Sequence, residues 1–185
     1  MESRGKEAKG HGTGVVIETS ALISFLLSKQ PERNAVGFLL RLVKDGTLIN
    51  YTSMEALEEI RTKLAHPKIQ SLYGKVVSDQ RRKKTPPVLQ NPAVLLRFVE
   101  EFSVLVNPSR RIKLCRDESD NKWLEIALES GAMAVITYDR DLLDLRDKEK
   151  KLRIGEGEIY ILTGLEFLEL FVRNSKDIEL GKLDK

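Results

Sequence analysis

The 185-residue sequence predicts an α/β fold in three layers, with a central, mostly parallel sheet of four to five strands between two layers of helices. Two observations carry this. Short runs such as Val15–Ile17 and Ala134–Thr137 are apolar throughout or nearly so, as in strands buried on both faces. Segments of helical periodicity separate them, and that alternation marks parallel strands joined by helical crossovers. No internal repeat or linker divides the chain, whose length suits one domain.

MESRGKEAKGHGTG is polar and lacks apolar periodicity, so residues 1–13 read as a loose tail, with His11 incidental to it. VVI is the first strand. ALISFLLS follows as helix, ended by Gln30-Pro31. AVGFLLRLVKDG has helical spacing and stops at Asp45-Gly46; TLINYTS is then a second strand. SMEALEEIRTKLAH opens with Ser53 and first-turn glutamates, an N-terminal helix signature, and His66-Pro67 closes it. His66 is expected at a helix end rather than in catalysis. Residues 67–91 read as a short helix and an exposed basic loop, Arg81, Arg82, Lys83 and Lys84. NPAVLLRFVEEFSVLV starts a helix at Pro92 and runs towards a strand. DNKWLEIALESGA is an amphipathic helix stopped by Gly131, AVIT a strand, and EIYILTGLEFLELFVRN a last strand and helix. The domain thus spans residues 14–173, with a polar tail at 174–185.

Composition excludes several function classes. No apolar run approaches the ~18 residues of a spanning helix, and the N-terminus lacks a signal peptide's apolar centre, so a cytoplasmic location is expected. One cysteine, Cys115, and two histidines cannot build a zinc site, and Cys115 reads as a small buried residue. The net charge of +3 hides an asymmetry: Arg61 to Arg116 carries thirteen Lys/Arg against three Asp/Glu, a balance of +10 that leaves −7 for the rest. That pattern suits a protein presenting one surface to a polyanion and another to divalent cations, or simply a solvated basic face.

Carboxylates recur at strand ends. Glu18 follows VVI; Glu55, Glu58 and Glu59 open the helix after TLINYTS; Asp139 and Asp141 follow AVIT; Asp117, Glu118 and Asp120 open the Trp123 helix. Each alone could be a helix cap. Together, at one sheet edge, they would repel one another unless a cation offset the cost. Mg²⁺ suits such a group, and two ions ~3.5–4 Å apart can align water and leaving oxygen at a phosphodiester. No P-loop, cysteine nucleophile or suitable histidine offers another route.

VVIETSALIS, SMEALEEI and, most specifically, CRDESDNKWLEIALESGAMAVITYDRDLL resemble the PIN-domain family of metal-dependent ribonucleases, which includes toxins of prokaryotic toxin-antitoxin pairs. The resemblance runs from Val15 to about Phe171. It implies a PIN-like fold and a catalytic set of Glu18, Glu59, Asp120 and Asp139. Asp117 competes with Asp120 for the third position, and Asp141 assists. Ser20 matches a small polar position, and Thr137 would orient a water through its hydroxyl. It also implies Mg²⁺ or Mn²⁺, an RNA substrate guided by Arg116 and the basic loop, a separate antitoxin and a homodimer. Glu18 departs from the family's usual aspartate, displacing the carboxylate by roughly one bond length where Mg²⁺ demands near-octahedral geometry. Two functions follow: a metal-dependent endoribonuclease of toxin-like type, or a catalytically weakened PIN domain that binds RNA or a partner. An aspartyl-nucleophile phosphatase is disfavoured, because Ser20 stands where that chemistry needs a second acid.

Overall fold

The computed structural model describes residues 13–79 and 88–172; the C-terminal tail, the basic loop Arg81–Lys84 and the N-terminal tail up to residue 12 lie outside the described residues, while Thr13, expected in that tail, opens the first strand. Strand β1 (Thr13–Ile17) leads into α1 (Thr19–Leu26), a 3₁₀ turn at Pro31–Arg33 and α2 (Ala35–Lys44). Then come β2 (Leu48–Thr52), α3 (Met54–Ala65), α4 (Pro67–Ser78), α5 (Pro92–Phe102) and β3 (Ser103–Leu105). A 3₁₀ turn at Glu118–Asp120 opens α6 (Asn121–Ser130), followed by β4 (Ala134–Ile136) and α7 (Arg140–Leu143). The domain closes with β5 (Lys151–Ile154), β6 (Gly157–Leu162) and α8 (Gly164–Phe167).

Local signals set most boundaries. Asn34 and Asn91 cap α2 and α5 by accepting from N–H groups of the first turn, and Ser53 caps α3. Pro92 occupies the first turn of α5, where its missing N–H costs nothing. Gly131 ends α6 in the left-handed conformation (φ 67°). His66 sits between α3 and α4, its Nδ1 accepting from the Lys68 N–H at 3.2 Å. Gln90 is fully buried and its side chain donates to the carbonyls of Phe25, Leu26 and Ser28, satisfying the open end of α1.

Among the described residues the sheet has six strands in the order β3-β2-β1-β4-β6-β5, parallel except for β5. The expectation of four to five strands is therefore corrected. The strand without a sequence signal is β5, which pairs antiparallel with β6 through a two-residue turn at Gly155 and Glu156, Gly155 at φ 61°. Its residues are half-buried or exposed, so no continuous apolar run announces it. The central strands behave otherwise: Val15, Val16 and the whole of β4 are fully buried between helix layers. Trp123 of α6 is also fully buried, in the same core as Leu22, Leu39, Ile60, Leu95 and Phe167. Among the described residues no helix is long and apolar enough to cross a membrane.

Candidate metal centre

The strand order reverses between β1 and β4: β2 and β3 extend the sheet from one side, β6 and β5 from the other. In open α/β sheets this reversal leaves a crevice beyond the carboxyl ends of the strands, because the flanking crossovers depart in opposite directions. Glu18 and Thr137 are the first residues past β1 and β4. The end of β1 is fixed from the other side too, since the Ile17 N–H donates to Asn50 Oδ1 (2.9 Å) while Asn50 Nδ2 donates to Ser103 Oγ (2.8 Å).

Glu18 caps α1 and does more. Its Oε1 accepts from the Ser20 N–H at 2.8 Å; its Oε2 accepts from the Thr137 hydroxyl at 2.9 Å and from the Ser20 hydroxyl. Thr137 Oγ1 in turn accepts from the Asp139 N–H (2.9 Å), and Ser20 Oγ from the Tyr138 N–H (2.8 Å). Two hydroxyls thus stitch the turn after β1 to the turn after β4. Burial, with only 5% of Glu18 exposed, pushes its carboxyl up to about 7 despite the three donors, and Glu59 adds repulsion.

Asp120, Asp139 and Asp141 come together next to this network, each with a carboxylate oxygen within 4.8 Å of the others. Their surroundings differ. Asp139 caps α7 with Oδ1, accepting from the Asp141 N–H at 2.7 Å. Asp141 accepts two bonds from the exposed Arg116 guanidinium, at 2.5 and 3.3 Å. Asp120 occupies the capping position of α6 but makes no capping bond. Partial burial and the charges of Asp139, Asp117 and Glu59 push its carboxyl up to about 6, the mark of crowding that a cation relieves. Asp117 is exposed and caps the 3₁₀ turn, held below the usual carboxylate range by the Ser119 N–H. Its carboxylate is outside the three-aspartate group.

Glu59 reaches the site from α3. The Thr19 hydroxyl donates to Oε1 at 2.8 Å, and Lys122 Nζ lies 2.5 Å from Oε2 and 2.5 Å from the Ser119 carbonyl. Glu55 and Glu58 face away into surface ion pairs with Arg111 and Arg61.

Between β3 and the 3₁₀ turn the chain runs back along α6 without regular structure. Three residues of α6, one turn apart, hold it there: Glu129 accepts from the Ser109 N–H and hydroxyl, Glu125 from the Ile112 N–H, and Asn121 from the N–H groups of Leu114 and Cys115. Arg110, Lys113 and Arg116 are left exposed along this strap. Cys115 turns inward behind the aspartates; burial and their charges push its thiol up to about 12, far from a thiolate nucleophile.

A family model of the PIN domain matches residues 14–141. The chain belongs to the PIN-domain family. It is also 35% identical over 157 residues to an uncharacterized protein of Methanocaldococcus jannaschii, covering 85% of this chain and 90% of the relative. No solved structure matches it. PIN domains are typically metal-dependent nucleases, and the donors of this PIN domain fit that chemistry: three carboxylates at one crevice, one of them making no capping bond, could hold a metal ion as a hard oxygen set.

Of the residues singled out in the sequence, this PIN domain gathers Asp120, Asp139 and Asp141 into one group and places Glu18, Ser20 and Thr137 in the adjoining network. Glu59 joins through Thr19 and Lys122, Asp117 stands apart, and Arg116 contacts Asp141. Sequence reasoning missed Lys122. The signal available was a cation in the first turn of α6, the end where the helix dipole disfavours it.

Proposed function

We propose that this PIN domain is a toxin-like endoribonuclease that hydrolyses RNA phosphodiesters with Mg²⁺ or Mn²⁺. The observation that carries the reading is the convergence of Asp120, Asp139 and Asp141 at the β1/β4 crevice, with Asp120 committed to no helix cap. These three carboxylates would hold the ion. When bound, it supplies positive charge that acidifies water and stabilises the departing oxygen. Thr137 and Ser20 keep the turn bearing Asp139 against the turn bearing Glu18, so the donor geometry is fixed before substrate arrives. Arg110, Lys113 and Arg116 on the strap line a path for the phosphate backbone. A separate antitoxin would inhibit such a site by placing a cationic side chain among the aspartates.

One observation favours a second reading, an RNA- or partner-binding PIN domain with weakened catalysis. Both oxygens of Glu18 are taken by Ser20 and Thr137, and its carboxyl sits at about 7. Cleavage of single-stranded RNA with Mg²⁺ or Mn²⁺ separates the two. The nuclease reading expects wild type to cut and Asp139→Asn to be inactive; cutting undiminished in Asp139→Asn would place the chemistry elsewhere. Cutting by Glu18→Asp alone would favour the binding module.

A further inference from the structure

Glu59 lies beside the aspartate cluster without belonging to it, and both of its oxygens are occupied. Oε1 takes the Thr19 hydroxyl at 2.8 Å, and Oε2 takes the Lys122 ammonium at 2.5 Å. The lysine side chain is 7% exposed and the glutamate 20%, so this is an interior ion pair rather than a surface one. Removing either partner would leave the other as an uncompensated buried charge. Helix α6 offers Lys122 no reason to be there, since a cation in a first turn opposes the helix dipole. Its ammonium instead bonds Glu59 and the Ser119 carbonyl and lies 5.7 Å from the centre of the Trp123 ring.

We infer that Lys122 is the resident cation of the Glu59 position: the site takes one divalent ion, at Asp120, Asp139 and Asp141, and Glu59 is a positioning residue rather than a ligand. The inference rests on the metal-nuclease reading for the existence of that ion. Two consequences of the geometry support it. A second ion at Glu59 would have to displace an ammonium whose side chain is only 7% exposed. The pair also joins three elements: Thr19 follows Glu18, Ser119 precedes Asp120, and Glu59 on α3 is held to both. Glu59 thereby ties the turn after β1 to the turn bearing Asp120 without serving as a ligand.

Titration of the full chain with Mn²⁺ alone, followed by calorimetry and by the electron paramagnetic resonance of free Mn²⁺, tests this. Wild type is expected to bind one ion. Glu59→Gln keeps an oxygen acceptor for Lys122 and is expected to bind one ion with Kd within about threefold of wild type. Lys122→Met uncovers the Glu59 carboxylate and is expected to bind two. Two ions in wild type, a loss of about tenfold or more in Glu59→Gln, or one ion in a folded Lys122→Met would each overturn the inference. If Lys122→Met does not fold, wild type and Glu59→Gln decide. Failure of wild type to bind Mn²⁺, or undiminished binding by Asp139→Asn, would remove the nuclease reading itself, a result distinct from the others.

Discussion

Asp139→Asn should make the metal-free protein more stable while removing its response to metal. Asparagine keeps the oxygen that accepts from the Asp141 N–H, so the start of α7 is preserved. What disappears is a negative charge beside Asp120, whose carboxyl sits at about 6 instead of 3.8 through burial first and Asp139 second. Fully expressed, that displacement is worth roughly 3 kcal/mol. Solvent screening at a half-open site, and the share due to burial, leave about 1 kcal/mol for the substitution to recover. In a domain of this size that raises Tm by about 2–4 °C. The pH dependence has a definite sign. A carboxyl raised on folding takes up protons in the native state, so its ionisation destabilises the fold as pH rises from about 4 to above 6. The gain in Asp139→Asn should therefore be full at neutral pH and vanish below about pH 4. Thermal melts from pH 3.5 to 8, with and without Mn²⁺, read both effects. Wild type should gain about 2.7 kcal/mol at one hundred times Kd, and the variant almost none. A variant less stable than wild type at neutral pH without metal, or one that Mn²⁺ still stabilises fully, would refute the charge-crowding argument.

Three further outcomes are expected. Glu166 is the reverse electrostatic case: although burial opposes ionisation, Arg146, the Thr163 N–H and Lys150 hold its carboxyl at about 2. Its contribution, roughly 2–3 kcal/mol, is present above about pH 4.5 and lost as pH falls towards 2, so Glu166→Gln and wild type should melt alike only in strong acid. Glu129→Ala removes the acceptor of the Ser109 N–H and hydroxyl; amide exchange should accelerate at Ser109 with a global cost of about 1 kcal/mol or less, and equal exchange rates would show that the strap is held elsewhere. Replacing Arg110 and Lys113 together with glutamine should weaken RNA binding and lower the slope of log K against log salt by about 1.4 for single-stranded RNA if both contact phosphate; an unchanged slope would exclude the strap from the RNA path.

The parts of this fold that showed in the sequence are those dictated locally. Val15–Ile17 and Ala134–Ile136 are apolar because both their faces are covered, and Ser53, Pro92 and Gly131 sit where a helix boundary chemically requires them. Strand β5 escaped because it lies at an edge and is only half covered; its one cue was the Gly-Glu-Gly turn before β6. The candidate site divides along the same line. Carboxylates after strands were visible, but Asp117 and Asp120 could not be separated, since either could cap a helix and only the intervening 3₁₀ turn gives the bond to Asp117. The Lys122 partnership spans 63 residues, and no local pattern could reveal it.

The strap has a bearing on the order of folding. Its ties to α6 connect residues 6 to 20 positions apart, whereas Thr137 reaches Glu18 across 119. Loop-closure entropy favours the short connections, so residues 109–130 can dock on themselves before β1 and β4 meet. Asp120 and the basic residues beside it would then belong to a local nucleus with high φ-values, while Glu18 and Asp139 gain their places only as the sheet closes. Mutations in the strap should accordingly slow folding, and mutations at the Thr137 bridge should hasten unfolding.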